Sequence, residues 1–160
     1  MMPELFANKS LCFKIILNNF VKNFYMLQLK AEIQNSGLKA TPQRIAILDA
    51  MHKLGHASAD MVADQLKDIF PSLTVATIYN VLESFVEKKI VVRRFSSNNK
   101  MYFDVNTYAH AHLYFREENR YLDYDEPELL ALVNDYFKNR KIPGFKIDSI
   151  DIQIVGSKSE

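Results

Sequence analysis

Residues 101–124 read MYFDVNTYAHAHLYFREENRYLDY, and this stretch contains Asp104, His110, His112 and Asp123. Two of the four histidines of the 160-residue chain fall inside it. Apolar and polar residues alternate around His110-Ala111-His112, as in a β-strand, so both imidazoles are expected on one face. A hairpin would bring Asp104 from before the pair and Asp123 from after it into reach. A third histidine, His56, stands far upstream in Gly55-His56-Ala57-Ser58-Ala59-Asp60. Three imidazoles and two carboxylates make a nitrogen and oxygen donor set without sulfur, suited to a divalent first-row metal. Two ionised aspartates would also neutralise a dication in a partly buried site. A His-x-His pair alone is often structural, so the weight lies with its surroundings.

The composition, 48% hydrophobic and 24% charged with a net charge of +1, describes an ordinary globular chain long enough for one domain or two small ones. Lys and Arg outnumber Asp and Glu up to residue 104 and are outnumbered beyond it, a mild asymmetry that fits a polyanion-binding half joined to a cation-binding half. Cys12 is the only cysteine, which excludes a disulfide or a Cys-based zinc site within one chain and points to a reducing cytoplasm. Residues 11–25 are apolar and aromatic but broken by Lys14, Asn18, Asn19, Lys22 and Asn23, so neither a signal core nor a membrane span is expected. Residues 1–25 read as an N-terminal extension. Either Met26 is an alternative start, or the extension is a helix that packs on a partner subunit.

Gln28 to Ser36 has helical spacing and stops at Gly37. Thr41-Pro42 opens a second helix with Ile45, Leu48, Ala50 and Met51 on its apolar face. Ser58 caps a third, with Met61, Val62, Leu66 and Ile69 inside, ending near Pro71. Thr74 opens a fourth that runs to about Lys89. Ile90-Val91-Val92 and Met101-Tyr102-Phe103 are β-rich runs around the polar turn Ser96-Ser97-Asn98-Asn99. Helices followed by a two-stranded hairpin are the plan of a winged helix. Beyond residue 104 the pattern predicts strands at 110–115 and 120–124, a helix from Pro127 or Glu128 to about Arg140, and a last strand from Phe145 to Val155 bulged near Asp148. The fold class is therefore α+β: a winged-helix domain over 26–104, then a small α/β dimerisation domain over 105–160. The second half has a thin core and calls for another copy of itself.

The fourth helix is the candidate recognition helix. Thr77 and Asn80 can share one face, Asn can pair with adenine, and Thr77 or Tyr79 can touch a thymine methyl. Lys39 and Arg44 near the second helix, and Arg93, Arg94 and Lys100 around the wing, could meet phosphates. Plainer roles stand beside these: Thr77 can merely cap, Tyr79 can pack, and charges at a hairpin tip are usually just solvated. His52, four residues before His56, has no carboxylate in its motif and reads as an ordinary surface or core histidine.

The series Gly37-Leu38-Lys39-Ala40-Thr41-Pro42-Gln43-Arg44, His56-x-Ser58-Ala59-Asp60, Ala76-Thr77-Ile78-Tyr79-x-x-Leu82, Phe103-Asp104 and His110-x-His112 resembles the ferric uptake regulator (Fur) family from about residue 26 to the end. The resemblance implies a metal-dependent, homodimeric, cytoplasmic repressor of double-stranded DNA with an A·T-rich palindromic operator. Such a protein would not be an enzyme and would have no membrane partner. The resemblance also implies a regulatory ion held by His56, Asp104, His110, His112 and Asp123, Fe²⁺ or Mn²⁺ in use and Zn²⁺ possible in purified protein. Ligands from both sides of a hinge would let the metal close the dimer onto successive major grooves. Asp rather than Glu at 123 looks more like the peroxide-sensing (PerR) branch, where hydrogen peroxide is the signal and oxidises a ligand imidazole, here His56 or His110. An iron-, manganese- or zinc-uptake sensor is the alternative within the family.

The departures are specific. Where the family carries a first Cys pair for structural zinc, this chain has Phe115 and Glu118, and the tail has no Cys, so no Cys₄ zinc is expected. Ala109 and Ala111 argue against a further site interleaved with the His pair. Asn80 replaces the family's Arg after the recognition-helix Tyr, which puts the usual operator in doubt. Two readings from other classes stay open at this level: a small metalloenzyme with an open His/Asp site, and a metal-independent winged-helix adaptor.

Overall fold

The computed structural model describes residues 4–95 and 101–158, with side chains described for 17–94 and 101–158. The chain forms two compact units, Met1–Thr107 and Tyr108–Glu160.

Unit one contains helices α1 (Glu4–Asn35), α2 (Pro42–Leu54), α3 (Ala59–Leu66) and α4 (Val75–Glu87), with strands β1 (His56–Ala57), β2 (Val92–Phe95) and β3 (Met101–Asp104). Three helix starts follow from the sequence. The hydroxyls of Thr41, Ser58 and Thr74 accept hydrogen bonds from the amides of Arg44, Met61 and Thr77 at 3.3, 3.3 and 3.2 Å. Leu29 and Ile33 of α1, Ile47, Leu48 and Met51 of α2, Val62 of α3, and Ile78, Leu82 and Phe85 of α4 close one core with Phe103 of β3. Their three- and four-residue spacings put one stripe of each helix inward.

The differences from expectation are local. α1 reaches back to Glu4, so the expected helix over 28–36 is only its last part. α3 stops at Leu66, and Ile69, expected inside it, is 68% exposed. The strand expected over 90–92 begins only at Val92. The reason lies in the end of α4, where the Ile90 amide donates to Phe85 O at 2.9 Å and the Lys89 amide to Val86 O at 3.0 Å. These bonds commit Ile90 to closing the helix rather than to a ladder. The wing turn over 96–99 lies outside the described residues.

β3 is the centre of its sheet, in the order β1-β3-β2. His56 pairs with Asp104 and Ala57 with Phe103 on one side, and Val92 pairs with Asp104 on the other. β1 is two residues long, too short for alternation to mark it in the sequence.

Unit two contains β4 (Ala111–Phe115), β5 (Arg120–Tyr124), α5 (Pro127–Lys138) and β6 (Ile152–Gly156) in the order β5-β4-β6. β4 and β5 form a hairpin, and β6 runs parallel to β4 after the α5 crossover. The last strand is shorter than expected. Its partner β4 has five residues, which pair with 152–156 and offer residues 145–151 nothing to bond. No residue of α5 is fully buried in a single copy.

Lys89 sits at φ +59°, a left-handed conformation at the end of α4 that glycine adopts without a Cβ clash. Lys89→Gly is expected to stabilise the protein by about 0.5–1 kcal/mol, read as a shift of the urea midpoint at unchanged slope.

Candidate metal centre

In unit one, Gly55 at φ +70° ends α2, with its amide bonded to Met51 O at 2.8 Å, and turns the chain so that His56 enters β1. There His56 Nε2 lies 3.4 Å from Asp104 Oδ2. The Asp104 side chain is wholly buried. Its Oδ1 accepts the Asn106 amide at 2.8 Å, and Arg94 Nε stands 3.8 Å from Oδ2. A carboxylate withdrawn from water is tolerable only with such compensation.

In unit two, His110 and His112 have ring centroids 4.4 Å apart, as neighbours on one face of the chain entering β4. His110 Nδ1 is 2.8 Å from Tyr108 O, and a ring that gives its Nδ1–H to that carbonyl keeps the Nε2 lone pair for a cation. That Nε2 is 3.2 Å from Asp123 Oδ1. Asp123 faces His112 across the β4–β5 ladder, and His112 Nδ1 is 3.5 Å from Asp151 Oδ1. One candidate ligand atom from each of His110, His112 and Asp123 lies within 4.8 Å of the others. The donor chemistry fits a divalent transition metal: buried imidazoles and a carboxylate gathered without sulfur.

Arg94 beside Asp104, the Tyr108 carbonyl beside His110, and Asp151 beside His112 were not expected near these residues. By sequence Arg94 reads only as a wing cation. Asp151 arrives through the parallel pairing of β6 with β4, which no local pattern announces. His52 faces Glu32 at 3.7 Å, on the surface.

The DNA-contact candidates divide by what they already touch. Thr77 and Asn80 lie on the outward side of α4, and the Thr77 hydroxyl is 2.9 Å from that of Thr74. Tyr79 turns inward, its ring set edge-on to Phe103 at 6.2 Å. Lys39 is exposed, and its carbonyl accepts Arg44 Nη1 at 3.0 Å. Arg93 pairs with Glu83. Lys100 lies outside the described residues. At the position of the missing Cys pair, Glu118 bonds Lys158 Nζ at 2.6 Å and Arg120 Nε at 3.0 Å. The hydrogen bond from Lys158, helped by the two positive charges, holds its carboxyl below the usual carboxylate range.

Residues 35–155 match the ferric uptake regulator family. The chain belongs to that family. It is 34% identical over 100 residues to the peroxide-responsive repressor PerR of Staphylococcus aureus, a match covering 62% of this chain and 68% of that protein. Among solved structures, the Vibrio cholerae ferric uptake regulator is similar at TM-score 0.66 and 21% identity, covering 81% of this chain and 98% of that one. The Francisella tularensis ferric uptake regulator, solved with iron, is similar at TM-score 0.62 and 25% identity, covering 76% and 92%. The α+β class, with an N-terminal DNA-binding and a C-terminal dimerisation domain, holds. Fur family proteins are transcriptional regulators that bind DNA and act as dimers, which sets aside the metalloenzyme. No helix among the described residues is long and apolar enough to cross a membrane.

Asp104→Ala removes the charge that offsets Arg94 and the acceptor for the Asn106 amide. It is expected to cost roughly 3 kcal/mol of unfolding free energy, while Asp104→Asn, which keeps that acceptor, costs less. Paired denaturant titrations measure both.

Proposed function

We propose that this Fur family regulator is a cytoplasmic, homodimeric, peroxide-responsive repressor in which His56, Asp104, His110, His112 and Asp123 hold one Fe²⁺ or Mn²⁺ ion. One observation carries the reading: imidazole and carboxylate donors stand on both sides of the junction between Thr107 and Tyr108. An ion shared by both sets would couple a DNA-binding domain over 26–104 to a dimerisation domain over 105–160, favouring the pose that binds DNA. The relationship to a peroxide-responsive repressor and the carboxylate at Asp123 support peroxide as the signal. Bound ferrous iron would supply the redox chemistry for that signal, with His56 or His110 as the imidazole oxidised. The chain's part is to orient donors: Tyr108 O fixes the His110 ring, and Asn106 N and Arg94 fix Asp104.

In the proposed complex α4 lies in the major groove of an A·T-rich palindrome, with Thr77 and Asn80 toward bases and Tyr79 reaching a thymine methyl only by turning its ring away from Phe103. Lys39, Arg44, Arg93 and Lys100 serve phosphates. The ion pair of Arg93 with Glu83 and the bond of Arg44 to Lys39 O must then be exchanged for phosphate contacts, so these two contribute less than freely exposed cations. Zn²⁺ could fill the site in purified protein, being bound more tightly than iron or manganese by such donors.

Adding Mn²⁺ to chelator-treated protein is expected to tighten operator binding by at least about tenfold, and His110→Ala to abolish the gain. Titration by fluorescence anisotropy reads both, and an unchanged affinity overturns the gating. For the Fe²⁺-loaded protein, hydrogen peroxide is expected to release DNA and leave one added oxygen on the peptide carrying His56 or His110. Metal-dependent binding that ignores peroxide makes the chain an iron, manganese or zinc sensor instead.

A further inference from the structure

We propose that α1 carries a pairing seam for the α1 of a second copy of this chain. The helix has two apolar faces. On one, Leu29 and Ile33 are buried in the core and Tyr25 and Met26 pack against it. Burial, with Asp49 close by, pushes the pKa of the Tyr25 hydroxyl above its ordinary value. On the opposite face, Leu17, Phe20, Phe24 and Leu27 are 49, 68, 56 and 63% exposed. Their spacings of three, four and three residues are the a/d repeat of a helix that packs along another helix. In sequence the same spacing continues back to Phe13.

Every residue from 17 to 24 is exposed, so nothing among the described residues packs on this part of α1. A helical segment that buries no face is marginal in water, and this one is rich in residues of middling propensity, Asn18, Asn19, Phe20, Val21 and Asn23. The four seam side chains and Val21 expose on the order of 600 Å² per copy, so self-pairing would bury about 1,200 Å², the lower end of a specific interface. A membrane surface fits less well, because helices that lie in lipid carry a Lys/Arg-rich polar face. Between Leu17 and Leu27 the polar residues here are three asparagines, Lys22 and Tyr25, with Lys22 the one cation. The occupant is a second copy because Fur family regulators act as dimers, which supplies another α1 in the same particle at high effective concentration. This seam needs no metal and stands apart from the regulatory reading.

Disulfide trapping in the full-length protein, with Cys12→Ser as background, tests it. Either Phe20→Cys alone or a mixture of Leu17→Cys and Leu27→Cys chains is expected to cross-link about tenfold faster than Asn18→Cys, which is exposed on the side of α1 away from the seam; the first outcome means parallel helices and the second antiparallel ones. Seam cysteines that cross-link no faster than Asn18→Cys overturn the proposal. As a second measurement, Phe24→Glu, placed in whichever cysteine chains trap, is expected to abolish trapping while unit one still melts cooperatively. If Phe24→Glu leaves trapping unchanged but loses binding to anionic phospholipid vesicles, the face is a membrane anchor and the self-pairing seam is wrong.

Discussion

The carboxylate of Asp104 is withdrawn entirely from water, and its surroundings follow from the need to meet that charge. It ends the central strand of its sheet, with β1 on one side and β2 on the other. A central position leaves no solvent route, so compensation must come from neighbouring elements: the His56 ring from β1, Arg94 from β2 and the Asn106 amide just beyond. The two-residue strand β1 makes sense in this light. It is too short to add much to the ladder, but with Gly55 it delivers one imidazole to one carboxylate. Uncompensated, such a group would cost several kcal/mol.

Unit two reaches a similar concentration of donors with less scaffold. Three short strands and one helix with no fully buried residue leave Leu132, Tyr136 and Phe145 more than half exposed in a single copy. A family that acts as dimers has a use for such surface. The chain has no cysteines to spare for a zinc clamp, and at that place it joins Glu118 to Lys158 and Arg120. Exposed ion pairs contribute little to stability, so the ladder of β4 with β5 and β6 carries the unit.

The DNA-facing candidates show how one side chain can be asked to serve two partners. Tyr79 is tied to Phe103 and Arg93 to Glu83, so each is already part of unit one's own packing or charge balance. Thr77 and Asn80 are turned outward on α4, where a side chain can meet a base edge without leaving a core. The difference follows from helical spacing, because burying Ile78, Leu82 and Phe85 fixes which residues of α4 remain outside.

The sequence by itself determined the helix starts, because Thr41, Ser58 and Thr74 act on amides three residues away. It also determined the inward stripes and the excess of imidazole and carboxylate around residues 101–124. Those are local signals, set by the 3.6- and 2-residue periods of the chain. Tertiary structure decided what depends on long-range pairing: the short β1 that sets His56 against Asp104, the approach of Arg94, and the arrival of Asp151 beside His112 through β6. It also decided that β6 is only five residues long and that α1 extends to Glu4. Strand length is set by the partner available to receive hydrogen bonds, and no stretch of chain read alone carries its partner's length.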